Sequence, residues 1–305
     1  MKILVVRTDK LGDFITALPA MSVLKKHNSD DKIIACVAPL NKELALACGF
    51  IDEVVVDDGC GMWEFAKKLR HVGADVSLTL FSNTRVALAQ FLAFIPLRIA
   101  PATKIAQIFY NKRVKQRRSE VKMAEFEYNL QLTKELFSDI DLSYEKPLLD
   151  FGDVKKEGIC FHVGFGGSSD ANWSLDEYVK LIDVALQNHK ITLTFGPDEV
   201  ELMKNMQQKL QGREIEFYLS KDGLLEFAKY LTQFELFVST STGTYHLASL
   251  VGTPTMTFFA DSLFASAKRW KSVGDEKLQK HFMIPHAKDE RQKLFDEVKK
   301  ELANF

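Results

Sequence analysis

Short apolar runs alternate along this chain with amphipathic stretches, in an order that predicts strands followed by helices. In the first half the apolar runs predict strands at Lys2–Val6, Ile33–Ala38, Glu53–Val56 and Asp75–Leu80. Helices are expected between them at Phe14–His27, Lys42–Cys48 and Met62–His71. Phe14, Leu18, Met21 and Leu24 recur at helical spacing, which gives the first helix one buried face. The second half repeats the alternation, with strands at Gly158–Val163, Ile191–Phe195, Leu236–Val238 and Thr255–Phe259. Ser174, with Glu177 following at the capping-box spacing, marks a helix start between the first two. Residues 287–305 read as an amphipathic helix with Leu294, Val298 and Leu302 on one side. Strands separated by helices imply parallel βαβ units with right-handed crossovers, so the fold class is α/β.

The pattern breaks between the halves. Residues Lys104–Lys122 carry seven basic side chains and a single acid, Glu120. A polar-faced helix is expected at about Met123–Phe137, and Ser138–Asp153, with Pro147, Gly152 and several acids, reads as a linker. A chain of 305 residues is long for one core. The expected division is therefore a first domain over 1–150, a second over 151–286, and a tail over 287–305.

Composition narrows the classes. The net charge is −1, so no global attraction to nucleic acid or anionic membrane is expected and any electrostatic preference is local. Cys36, Cys48, Cys60 and Cys160 are far apart and show no zinc-ligand spacing. They read as free thiols of a reducing compartment, and no metal site is expected. The opening apolar stretch stops at Arg7, too soon for a signal peptide. The longest apolar run, Val86–Leu97, is too short to span a bilayer. A cytoplasmic protein is expected, with peripheral contact to the inner membrane surface allowed.

Two matched segments carry the candidate chemistry. Arg7-Thr8-Asp9-Lys10-Leu11-Gly12-Asp13 follows the first strand, and Ser239-Thr240-Ser241-Thr242-Gly243-Thr244-Tyr245-His246 follows Leu236-Phe237-Val238. Each joins a buried-type strand to a helix through a small polar turn, the place where open α/β sheets bind ligands. Asp13 is either a helix-start residue favoured by the dipole or a general base. The Gly164–Ser169 loop is either a plain connection or a phosphate cradle, and it matches neither a Walker A loop nor a dinucleotide fingerprint. Thr240–His246 is either a simple cap or a diphosphate site made of hydroxyls and N–H groups, and His246 serves equally as a structural histidine. The basic run is either a solvated face or a patch for an anionic acceptor. Its aromatic content is slight, so RNA is the weaker partner and no nucleic acid is expected.

Several segments taken in order carry a resemblance. The opening Lys2–Arg7 with Leu11-Gly12-Asp13 and Leu18-Pro19-Ala20, then Phe109-Tyr110-Asn111-Lys112, come from the first half. His162-Val163-Gly164 through Asn172-Trp173, Phe195-Gly196-Pro197-Asp198-Glu199, and Ser241-Thr242-Gly243 through His246-Leu247-Ala248 come from the second. Across essentially the whole chain these resemble the family 9 glycosyltransferases, the bacterial lipopolysaccharide heptosyltransferases. The resemblance implies a GT-B architecture, two Rossmann-like domains with parallel sheets facing a central cleft. The first domain would hold a Kdo- or heptose-bearing lipid A acceptor and the second a nucleotide sugar, typically ADP-heptose, used as substrate with no further cofactor. The tail helix would pack back toward the first domain.

The resemblance also implies roles. Asp13 would be the general base of an inverting, metal-independent displacement. Gly166, Gly167, Ser168, Ser169, Gly196, Glu199, Ser241, Thr242, Gly243 and His246 would bind the donor. Arg7, Lys10, Lys112, Arg113 and Arg117 would meet the anionic glycolipid. The chain departs from the family pattern in three places. Ser241 stands where an aspartate is common, Asp170-Ala171-Asn172-Trp173 lacks the usual lysine, and Ala260-Asp261-Ser262 replaces a Gly-Pro-Thr-Asp stretch. Lys10 or the Lys268-Arg269 pair could supply the missing cation. These departures keep a different donor, a nucleotide-sugar epimerase and a non-catalytic nucleotide-sugar-binding relative as alternatives.

Overall fold

The computed structural model describes residues 1–103, 105–164 and 172–305. The chain divides into two units, Met1–Leu148 and Leu149–Phe305.

The first unit runs β1 (Lys2–Arg7), α1 (Leu11–Ile15), α2 (Leu18–His27), β2 (Lys32–Val37), α3 (Lys42–Ala47), β3 (Glu53–Val56), α4 (Met62–Val72), β4 (Val76–Thr79), α5 (Thr84–Leu92), β5 (Leu97–Pro101), β6 (Lys112–Val114) and α6 (Glu125–Thr133). Its sheet has the order β3-β2-β1-β4-β5-β6, and every neighbouring pair is parallel. That order reverses direction between β1 and β4, which is the switch point where doubly wound sheets bind ligands. Ile3 through Val6 are fully buried, as a central strand covered on both faces requires. The helix expected over Phe14–His27 is broken in two. Pro19 occupies the first turn of α2, where its missing N–H costs nothing, and Thr16 turns its hydroxyl back to donate to the Asp13 carbonyl at 2.7 Å. The expected Met123–Phe137 helix is shorter, Glu125–Thr133, and begins with the Glu127 carboxylate accepting from the Ala124 N–H at 2.6 Å. The apolar run Val86–Leu97 divides into the end of α5 and the start of β5.

The second unit runs β7 (Ile159–His162), α7 (Leu175–Ala185), β8 (Ile191–Phe195), α8 (Val200–Lys209), β9 (Ile215–Leu219), α9 (Leu224–Leu231), β10 (Leu236–Thr240), α10 (Gly243–Leu250), β11 (Thr255–Ala260), α11 (Ala267–Trp270), β12 (Gln279–Ile284) and α12 (Lys288–Ala303). Its sheet order, β12-β11-β10-β7-β8-β9, is the same topology with its switch point between β7 and β10. Ser174 caps α7 as expected, exchanging hydrogen bonds with Glu177.

The tail helix α12 buries its apolar face in the second unit. Phe295, Val298 and Leu302 join the core formed by Trp173, Tyr178, Leu181 and Phe258. The Trp173 and Phe295 rings meet edge-on at 5.2 Å. Arg291, one helical turn before Phe295, lies over the Trp173 ring at 4.6 Å and donates to Asn172 O and to Glu177. A helix with that much apolar surface adjoining its own domain's core has its burial satisfied there. Phe295→Ala is expected to cost about 3–5 kcal/mol in urea unfolding of the full chain. A neutral substitution would show that α12 is not part of this core.

Candidate active site

In the first unit the chemistry gathers at the C-terminal end of β1. Arg7 is the last residue of that strand, and its side chain is only 2 % exposed. Its Nε donates to Asp9 Oδ1 at 2.8 Å and its Nη2 to Asp13 Oδ1 at 2.5 Å, while Nη1 lies 3.5 Å from Glu125 Oε1. Glu125 also accepts from Arg118. The Phe81 ring, just beyond β4, lies 5.7 Å from the Arg7 guanidinium and closes the switch point from the other side. The turn is fixed from outside as well, since Asn41 donates to the Asp9 carbonyl and Asn129 to the Thr16 carbonyl.

This arrangement holds each of the two aspartates through one oxygen. Asp13 has one oxygen held by Arg7, and Oδ2 has no protein hydrogen-bond partner among the described residues. With its side chain 21 % exposed, Asp13 keeps an open lone pair at the sheet's ligand-binding edge. Burial raises the pKa of Asp9 to about 6, against the pull of Arg7 and with the push of the Asp13 charge. Arg7 is held more strongly protonated than usual: burial alone would lower its pKa, but Asp9, Asp13 and Glu125 together outweigh that.

The expected acceptor-binding residues fall in different surroundings. Arg7 is occupied by carboxylates inside the protein. Lys10 is exposed at the residue preceding α1. Lys112 is turned to Glu135, 3.2 Å away, and Arg117 to Glu120 at 3.1 Å. Arg113 is exposed on the edge strand β6. The basic run reaches the Arg7 cluster through Arg118, which shares Glu125 with Arg7. Asp9, Arg118 and Glu125 were not expected as site residues. Asp9 was within reach of sequence reasoning, because it lies in the same turn as Asp13. Glu125 had no signal, since only folding brings it to Arg7.

In the second unit Gly164, beyond the end of β7, and the turns after β8 and β10 stand at the C-terminal edge of the sheet. Glu199, leading into α8, accepts from the Gly196 N–H at 2.7 Å and sits 3.8 Å from His162 Nε2. A Cβ at Gly164 would lie 2.0 Å from Glu199 Oε1, so only glycine allows that carboxylate its position. His162 donates to or accepts from Thr194 through Nδ1, and burial lowers its pKa against the attraction of Glu199. Thr242 leads into α10 with its hydroxyl 2.7 Å from that of Thr244, and Ser241 through Thr244 are partly exposed. The free N–H groups of the first turn of α10 begin here, at Gly243.

His246 points elsewhere. It is 3 % exposed, with Nδ1 3.2 Å from Ser272 Oγ, and burial together with the nearby His281 pushes its pKa down to about 3. It is a neutral histidine of the domain interior. Gly166, Gly167, Ser168 and Ser169 lie outside the described residues. Arg269, considered as a replacement cation, is stacked over the Phe264 ring at 3.6 Å, and Lys268 is exposed. Among the described residues no cluster of three or more histidine, cysteine or acidic side chains is gathered for a metal ion. None of their helices is long and apolar enough to cross a membrane. Cys36, Cys48 and Cys160 are buried free thiols, and burial pushes Cys48 up to about 12.

The model of glycosyltransferase family 9 (heptosyltransferase) matches residues 62–298. The chain belongs to glycosyltransferase family 9. A Haemophilus influenzae protein bearing a provisional glycosyltransferase name is 33% identical over 319 residues, covering 96% of this chain and 92% of that one. Escherichia coli ADP-heptose LPS heptosyltransferase II has the same fold, with a TM-score of 0.79 at 13% identity over 99% of both chains. Escherichia coli heptosyltransferase WaaC, solved with ADP, gives 0.76 at 18% identity over 98% of this chain and 100% of that one. The expected GT-B class therefore holds, with two Rossmann-like units, and this family 9 member is a glycosyltransferase.

The Asp9 environment makes a prediction about stability. A carboxyl whose folded pKa is raised contributes stability that is fully present below its unfolded value, about 3.9, and is lost as pH rises through about 6. Asp9→Asn cannot ionise and escapes that loss. The Tm difference, variant minus wild type, is expected to grow from about pH 4 to about pH 7. A difference independent of pH would mean that Arg7 fully compensates the Asp9 charge.

Proposed function

We propose that this family 9 glycosyltransferase transfers heptose from ADP-heptose to the inner core of lipopolysaccharide, with inversion, and that Asp13 is the general base. The observation that carries the reading is the Asp13 carboxylate, held through one oxygen by buried Arg7 and left open at the other. An acceptor hydroxyl gives its proton to Oδ2 as its oxygen attacks the anomeric carbon. The bond from that carbon to the diphosphate oxygen breaks in the same displacement, and ADP leaves carrying the electron pair. Arg7 keeps the carboxylate in one rotamer, so the proton acceptor is oriented before the acceptor arrives.

In this reading the first unit supplies the base and the second holds the donor. The diphosphate charge is met by the N–H groups opening α10 and by the hydroxyls of Ser241, Thr242 and Thr244, groups already oriented for a developing anion. Glu199 accepts from a sugar hydroxyl of the nucleotide, beside the close approach that Gly164 permits. ADP, bound by the E. coli WaaC chain of the same fold, supports adenine as the base. The glycolipid acceptor is supported by the family's heptosyltransferase description.

Acceptor-dependent ADP release from ADP-heptose, with Kdo–lipid A as acceptor, tests the reaction. Asp13→Asn is expected to lower kcat by roughly 10²–10⁴-fold with donor affinity little changed. Full activity in that variant would remove Asp13 from the chemistry, and release without acceptor would point to a different reaction. Gly164→Ala forces the Glu199 carboxylate away from the Gly196 N–H. Calorimetry should then show ADP binding weakened by roughly tenfold, the worth of about one hydrogen bond. Unchanged binding would exclude Glu199 from the nucleotide site.

A further inference from the structure

The chain contains no aspartate or glutamate between Asp75 and Glu120, while eight lysines and arginines fall in that span. The same span carries a cluster of exposed large apolar side chains. Phe91 and Phe94 follow one another at the end of α5, and Phe94 is 75 % exposed. Ile105 and Ile108 stand on the 3₁₀ turn Ile105–Phe109, where residues three apart share a face, and Ile105 is also 75 % exposed. The two groups are continuous, since the Phe91 and Phe109 rings are 5.9 Å apart and Phe109 packs with Ala87, Ala100, Ala106 and Tyr110.

Phe94 is held outward by its backbone. Its φ is +59°, a conformation disfavoured for any residue with a Cβ, in a tight turn closed by its N–H on Phe91 O at 3.0 Å. Cations ring the apolar surface. The Arg70 guanidinium lies 4.7 Å from the Phe94 ring centre and the Arg98 guanidinium 5.4 Å from that of Phe91. Arg113 pairs in register with Ala100, whose side chain packs under the 3₁₀ turn, so Arg113 stands on this face while Lys112 turns to Glu135. Lys115 is exposed just beyond. Among the described residues Arg70, Arg98, Arg113 and Lys115 make no ion pair with a carboxylate.

We propose that this face, α5 with the Ile105–Phe109 turn and edge strand β6, docks on an anionic lipid bilayer. Phe91, Phe94, Ile105 and Ile108 enter the interfacial zone, and the surrounding guanidinium and ammonium groups meet lipid phosphates. A second copy of the chain suits the face poorly, because a two-fold contact would set these cations against one another. The purpose of docking, reaching an acceptor anchored in lipid, rests on the reading under Proposed function. The docking itself is measured without turnover.

The test is cosedimentation of the full chain with phosphatidylcholine vesicles, with and without phosphatidylglycerol. Binding is expected to require the anionic lipid, to fall with salt, and to weaken at least ~10-fold in Phe94→Ser/Ile108→Ser and in Arg113→Glu/Lys115→Glu. The substituted side chains are exposed, so both variants should keep the wild-type Tm. Phe94→Ser/Ile108→Ser should retain transfer to a water-soluble acceptor fragment while losing transfer to acceptor embedded in vesicles. Absence of wild-type binding, binding indifferent to anionic lipid, or binding unaltered in both variants would overturn the proposal. A concentration-dependent dimer abolished by Phe94→Ser, without vesicle binding, would overturn it in favour of self-association. If transfer fails with every acceptor while vesicle binding behaves as expected, the docking stands and the transferase reading falls.

Discussion

Burying a guanidinium at the end of a central strand costs several kcal/mol unless carboxylates surround it, and the site of the first unit follows from how this chain meets that cost at Arg7. Asp9 and Asp13 come from the turn immediately after β1, and Glu125 comes from the start of α6. Because Glu125 also holds Arg118, the start of α6 and the end of the basic run are tied to the β1 turn. One buried charge therefore fixes the turn, the entry to α1 and the position of α6. Asp13 is held through one oxygen by this group, which makes its orientation a property of the whole cluster.

The second unit handles charge differently. Its interior histidines are kept neutral by burial, His162 beside Glu199 and His246 beside His281. What the described part of its ligand-binding edge offers is oriented N–H groups and hydroxyls, together with the carboxylate of Glu199. In the reading proposed above, such a surface meets a diphosphate by geometry and dipoles, and a ribose by a carboxylate. It is consistent with the departures seen in the sequence, where Ser241 replaces an expected aspartate and the stretch before Trp173 has no lysine. The tail helix contributes to this edge indirectly: Arg291 grips Asn172 and Glu177, fixing the entry to α7.

Much of the fold was legible in the sequence because its signals are local. Most of the expected strands are buried runs bounded by turns, and those at Glu53–Val56 and Ile191–Phe195 have the expected limits. Ser174 and Glu177 marked a helix start through chemistry contained within one turn. The short edge strand Lys112–Val114 was hidden in a run of cations, since an edge strand need bury little and its pattern is weak. The tail was legible as a helix, while its apolar stripe stated only that something must cover it.

The sequence by itself determined the two alternating β/α halves, the polar turns after Lys2–Val6 and Leu236–Val238, and the identity of Asp13 as a candidate base. Tertiary structure alone decided which charges share a site. It brought Glu125 to Arg7 across 118 positions, made Arg7 an internal brace, and turned His246 into the interior. The physical reason is that strand and helix signals depend on neighbours along the chain. The protonation and orientation of a side chain depend on neighbours in space, which come from remote segments and are assembled only when the sheet order is complete.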